Sequence, residues 1–227
     1  MTPVCEAHAA FREFVLGPEF SCLAGKSAIR RGTYRVGAYA RLDDADVTAG
    51  LARDLYAFTR ERREFNSDYT CFAAFFEREG RPTPGVEPDE AEGAFERQLW
   101  SQLQRLHELD AQFHRWDPSV SSDPANPHFS FSVGGCAFFI VGLHPAASRS
   151  SRRFPWPTLV FNAHEQFDHL KASGTFAGLQ KQIRAHELSL DGSLNANLAD
   201  FGAVSEARQY SGRQVDAEWQ CPFRSVR

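Results

Sequence analysis

Apolar residues switch between two spacings along this chain, and the switches divide it into helices and strands. Residues 5–16 carry Ala9, Phe11, Phe14, Val15 and Leu16 at helical spacing before Gly17-Pro18 stops them, which predicts a short helix. No element is assigned to residues 18–32. Tyr34, Val36, Ala38, Ala40 and Leu42 alternate as in a half-buried strand. Asp43 or Asp44 can then cap a helix running to Phe65, with Val47, Leu51, Leu55 and Phe58 on one stripe. Thr70–Phe76 is a continuous apolar run and predicts a buried strand, followed by a proline-rich surface loop over residues 81–88. A helix over residues 89–113 presents Phe95, Leu99, Leu103, Leu106 and Phe113 to the core, with His107 one turn from Leu103.

Two strand patterns, 128–133 and 136–143, flank Gly134-Gly135, a strong signal for a tight hairpin. The second runs into His144-Pro145 and an arginine-rich loop. Thr158–Phe161 is another short strand, and Asn162 can cap a helix that places His164 in its first turn. A further helix spans 175–190, and the tail after Asp191 is rich in turns. Strands and helices in mixed order with a tight hairpin predict one α+β domain of residues 1–227 around a largely antiparallel sheet.

Composition narrows the class. With 42% apolar and 24% charged residues, the chain reads as an ordinary globular protein. The balance of 25 basic against 29 acidic residues gives no electrostatic footprint for nucleic acid. The five cysteines are scattered and odd in number, which fits a reducing cytoplasm better than a disulfide framework or a structural zinc site. No apolar run is long enough to span a membrane, and residues 1–14 do not have the pattern of a secretory signal. All but three of the basic residues are arginine, a side chain suited to carboxylates and phosphates.

Familiar catalytic motifs are missing. Leu23-Ala-Gly-Lys-Ser27 lacks the first glycine of a P-loop, and the histidines of His164-Glu-Gln-Phe-Asp-His169 are five apart, off one helical face. What remains is the stretch from Cys136 to Leu170, where strands deliver His144 and His164 on either side of Arg149, Arg152 and Arg153. An imidazole can ligate the iron of a porphyrin while guanidinium groups pair with its propionates. The alternatives are a loop histidine bonded to backbone and arginines on a solvated face. His107 on its apolar stripe reads equally as a core histidine, and Cys22 as a buried thiol or a thiolate ligand.

Longer blocks carry more weight than any one of these residues. Pro18-Glu-Phe-Ser-Cys-Leu-Ala-Gly-Lys-Ser-Ala28, Phe138-Phe-Ile-Val-Gly-Leu-His-Pro145, Arg152-Arg-Phe-Pro-Trp-Pro-Thr-Leu-Val-Phe-Asn-Ala-His-Glu-Gln-Phe167 and Ser205-Glu-Ala-Arg-Gln-Tyr-Ser-Gly-Arg213 run in order along the chain. Together they resemble the YqcI/YcgG family. The resemblance implies haem b, and an oxygenase that uses O2 and an external electron donor to hydroxylate a guanidine or related amine nitrogen of a small metabolite. It does not name the iron ligand. His164 ranks first, because a helix-borne imidazole is rigidly aimed and Asn162 or Glu165 could orient its second nitrogen; His144 and His107 follow. His164 and His144 could also serve as a proximal and distal pair. A cationic substrate needs carboxylates, for which Asp110, Glu165 and Asp168 are nearest the histidines in sequence. A non-catalytic haem carrier or sensor, and a cofactor-free protein binding small anions, are the alternatives.

Overall fold

In the computed structural model, residues 3–65, 67, 69–78, 87–172, 174–195, 197 and 201–226 are described. Among the described residues five strands form one sheet: β1 (Tyr34–Tyr39), β2 (Cys71–Phe76), β3 (Phe131–Val133), β4 (Cys136–Leu143) and β5 (Thr158–Ala163), in spatial order β1-β2-β5-β4-β3. The β1–β2 pair is parallel and the other three are antiparallel, so the α+β expectation holds. The parallel pair is joined by the helix α3 (Val47–Glu61), because parallel neighbours need a crossover connection.

Both faces of the sheet are covered. On one face Cys71, Ala73, Phe75, Leu143 and Val160 meet α1 (Pro3–Leu16) and α2 (Leu23–Arg31). On the other, Phe72, Ala74, Phe76, Phe138, Ile140 and Phe161 meet α3 and α4 (Pro88–Asp110). Two-sided burial explains why β2 is apolar throughout rather than alternating. Two more helices, α5 (Glu165–Ala172) and α6 (Thr175–Asp191), follow β5, and α6 packs against α2 and the turn at residues 150–152. Among the described residues no helix is long and apolar enough to cross a membrane.

Several boundaries differ from expectation. Residues 23–31 form α2, whose first turn is capped by Cys22 Sγ accepting from the Gly25 N–H and whose end is set by Gly32 at φ 70°. The acidic residue at the start of α3 is Asp46, without a side-chain cap, and the helix stops at Glu61. The helix α4 ends at Asp110, leaving Phe113 at 68% exposure rather than in the core. Asn162 belongs to β5, and the hairpin strand β3 begins only at Phe131. The proline-rich loop at 81–86 lies outside the described residues.

Gly142 in β4 has a packing role. A β-carbon there would lie 2.7 Å from Phe95 and 2.9 Å from the Tyr210 carbonyl, which accepts the Gly142 N–H at 2.8 Å. Gly142→Ala should therefore destabilise the fold by about 1–3 kcal/mol, read as a lower midpoint in urea unfolding.

Candidate functional site

His144 follows β4 directly. Its N–H donates to Arg152 O and its carbonyl accepts from the Phe154 N–H, so the strand end fixes the direction of the ring. The imidazole stacks on Phe95 of α4, with centroids 4.2 Å apart and an interplanar angle of 22°. The residue is 4% exposed, and neither ring nitrogen makes a hydrogen bond. Burial, and then the positive charge of Arg152, hold its pKa down to about 4. The ring is therefore neutral near pH 7, the form in which imidazole ligates a metal.

This depression also shapes stability. The folded-state pKa of about 4 lies below the ordinary 6.5, so the stabilisation is fully present above pH 6.5 and is lost as pH falls toward 4. In metal-free protein this group should make the unfolding free energy fall by about 1.4 kcal/mol per pH unit inside that window. Urea titrations at pH 7, 6 and 5 check this, with His144→Gln expected to flatten the dependence.

Arg152 lies beside His144. Its Nη1 donates to the carbonyls of Gly142 (3.1 Å) and Tyr210 (3.3 Å), and its Nη2 to Gln209 O (3.1 Å). Of the five N–H groups of a guanidinium, Nε–H and one on Nη2 are left without an acceptor. Burial drives its pKa down to about 10 although Glu187 and Cys22 act to raise it. A half-buried cation held by neutral carbonyls, with no directly bonded carboxylate, favours an added anion.

Glu187 and Asp191 stand one turn apart on α6. Glu187 Oε1 accepts from Ser21 Oγ (3.2 Å), and Asp191 Oδ1 from the N–H and Oγ of Ser150 (3.1 and 2.7 Å). The second oxygens, Glu187 Oε2 and Asp191 Oδ2, are buried without a hydrogen-bond donor. Cys22 caps α2, and burial pushes its thiol pKa up, so it is held as a thiol rather than a ligating thiolate.

The other expected site residues have different settings. Arg149 donates to the carbonyls of Ser193 and Leu194, and Arg153 to those of Ala147 and Ser148. These two satisfy loop carbonyls that have no ladder partner, so the expected clamp of three arginines reduces to Arg152. His107 Nε2 accepts the Val226 N–H at 2.9 Å, and the ring packs on Trp116 and Phe223; it anchors the C-terminal tail. His164 precedes α5, with Nε2 3.8 Å from Glu206 Oε2 and its ring 4.4 Å from that of Phe201.

Neither expected partner orients His164. Asn162 Nδ2 donates to Phe139 O, and Glu165 pairs with Arg62 at 2.5 Å. Asp110 Oδ1 accepts from the Gly134 N–H and from His114 Nδ1–H, bracing the hairpin. Asp168 is in α5, and its side chain lies outside the described residues.

The three imidazoles do not converge. Phe95, on which His144 stacks, and His107 are twelve residues apart on α4, about 18 Å at the helical rise. His164 donates its N–H to Ala137 O near the start of β4 while His144 follows its end, a separation of about 20 Å along the strand. A proximal and distal pair of His164 and His144 is therefore excluded by the sheet itself. Closeness in sequence to the histidines points to none of Glu187, Asp191 and Glu206, because these arrive from later segments of the chain.

No curated protein and no solved structure gives a significant match to this chain. The segments that build the site, from α2 through α4, β4 and the arginine loop to the 205–213 turn against Gly142, all lie within residues 11–224, the span matched by the YqcI/YcgG family, and to that family the chain belongs.

Proposed function

We propose that this protein is a haem-dependent oxygenase that hydroxylates a guanidine-type or related amine nitrogen of a small metabolite. The observation that carries the reading is His144: a buried, neutral imidazole without a hydrogen bond, next to a half-buried guanidinium without a bonded carboxylate. The donor set suits haem b: His144 would hold the iron through an imidazole nitrogen, and Arg152 would pair with a propionate through its unengaged N–H groups. When bound, haem supplies the reduction of O2, one oxygen atom going to the substrate nitrogen and the other to water with two protons and two electrons from an external donor.

The chain's own residues do the positioning. Phe95 holds the plane of the His144 ring, and the carbonyls of Gly142, Gln209 and Tyr210 hold the Arg152 guanidinium. Glu187 Oε2 is the carboxylate oxygen that would meet a cationic nitrogen; Asp191 Oδ2 already faces Arg149 Nη1 at 4.0 Å, and Asp110 and Glu165 are engaged elsewhere.

The test is to express the protein with a haem precursor, reduce it, and record its spectrum with and without CO. It is then supplied with O2, a reductant and free arginine or simpler guanidines. A Soret band that shifts with CO and a product heavier by one oxygen atom are expected. A protein that stays colourless on haem addition would sink the proposal. Haem-loaded, reduced protein that leaves every guanidine unchanged would favour a carrier or sensor instead.

A further inference from the structure

A polar cavity lies away from His144, between the end of α3 and the start of α5. It has a volume of about 240 Å³ and is lined by Arg62, Arg63, Thr70, Gln166 and His169, with Glu165, Phe65 and Ser67 completing the wall. That volume is below the roughly 300–1,000 Å³ of sites for drug-sized ligands, so it suits a small group rather than a nucleotide.

Its lining is rich in donors that have nothing to donate to. The Arg62 side chain is 6% exposed; Nη1 pairs with Glu165 and Nη2 contacts Cys136 Sγ, but Nε is buried without an acceptor. Gln166 is 6% exposed, and its Oε1 accepts the Thr70 N–H at 2.9 Å. A backbone N–H can face only the oxygen of the amide, so this bond fixes the orientation and leaves Nε2–H2 as an unpartnered donor in the wall. The Thr70 hydroxyl makes no hydrogen bond, and the exposed Arg63 guanidinium, whose charge acts on Glu165, makes none either. Among the described residues Glu165 is the one carboxylate in the lining, and Arg62 pairs with it.

We propose that this cavity binds a phosphate group, either as the free ion or as the terminal group of a small phosphate monoester. Donors of different geometry line it from three segments: the Arg62 and Arg63 guanidiniums, the Gln166 amide and the Thr70 hydroxyl. A tetrahedral oxyanion presents several acceptor oxygens to such a set, whereas a planar carboxylate presents two. The inference is independent of the haem reading and concerns a different part of the molecule.

Calorimetric titration of the full chain with inorganic phosphate at low ionic strength tests it, with glycerol 3-phosphate as the monoester and acetate and chloride as controls. Phosphate or the monoester should bind with defined stoichiometry, and acetate and chloride should not compete at equal ionic strength. Arg63→Ala removes an exposed side chain and should weaken binding about 10- to 100-fold. Gln166→Glu keeps the acceptor for Thr70 but replaces the donor with a negative oxygen, and should abolish binding; circular dichroism confirms that both variants fold. Tighter binding of the monoester than of free phosphate would identify a metabolite site, and the reverse a site for the ion. Absence of binding to wild-type protein, equal competition by chloride or acetate, or wild-type affinity in both folded variants would overturn the proposal.

Discussion

His144→Ala is expected to remove the ligated haem spectrum altogether, while His107→Ala and His164→Ala keep it. The reason is hydrogen-bond occupancy rather than position in the chain. His107 Nε2 already accepts a backbone N–H, and the His164 ring faces Phe201 with Glu206 close to Nε2. Only His144 among the three is buried, neutral and without a hydrogen bond at either nitrogen. Its loss should exceed the 10- to 100-fold decrease typical of removing a residue that merely orients a metal ligand. Truncation leaves a gap against Phe95 of the shape of the missing ring, so millimolar free imidazole should restore the ligated spectrum. Retention of that spectrum by His144→Ala, or its loss in His164→Ala alone, would contradict the assignment.

The elements that were legible in the sequence are those in which local and global requirements agree. Gly134-Gly135 takes positive φ at both positions, 62° and 70°, as a two-residue hairpin demands, and β3 and β4 pair directly across it from Val133 to Cys136. Val47, Leu51, Leu55 and Phe58 repeat with the helical period, and all four are buried in α3. The helix α2 was not legible because its first turn carries Gly25, a poor helix former, and its cap is a cysteine rather than serine, threonine or aspartate. Asn162 has the chemistry of a cap, but its amide reaches across the sheet to Phe139 O, so tertiary pairing extends β5 past it.

The site was half legible for a related reason. A strand end that delivers a histidine can be read from the sequence, and His144 is such a residue. Which imidazole keeps a free lone pair cannot be read, because the answer depends on Val226 and Glu206, at sequence separations of 119 and 42 residues from the rings they meet. The arginines posed the same difficulty. Arg149, Arg152 and Arg153 look alike in sequence, but a loop without ladder bonds draws two of them onto its own carbonyls, and the third is left with donors to spare.

Tyr210→Phe is expected to destabilise the protein by about 2–4 kcal/mol, although it deletes one oxygen atom. That hydroxyl is fully buried, donates to Glu206 Oε1 at 2.6 Å and accepts the Phe131 N–H at 3.0 Å. Phenylalanine preserves the stacking on Trp100, so apolar packing is retained and the change isolates the polar contribution. A buried carboxylate loses its short donor, and a strand N–H at the sheet edge loses its acceptor, each a cost of about 1–3 kcal/mol. The effect should extend to the site, because the Tyr210 carbonyl receives both the Gly142 N–H and an Arg152 N–H, tying the 205–213 segment to the strand that carries His144. Urea unfolding should show a lower midpoint with an unchanged slope, and the variant should also lose haem faster than wild type. A shift below about 0.5 kcal/mol would mean that water replaces the hydroxyl in both bonds, and that this segment is held by its aromatic packing alone.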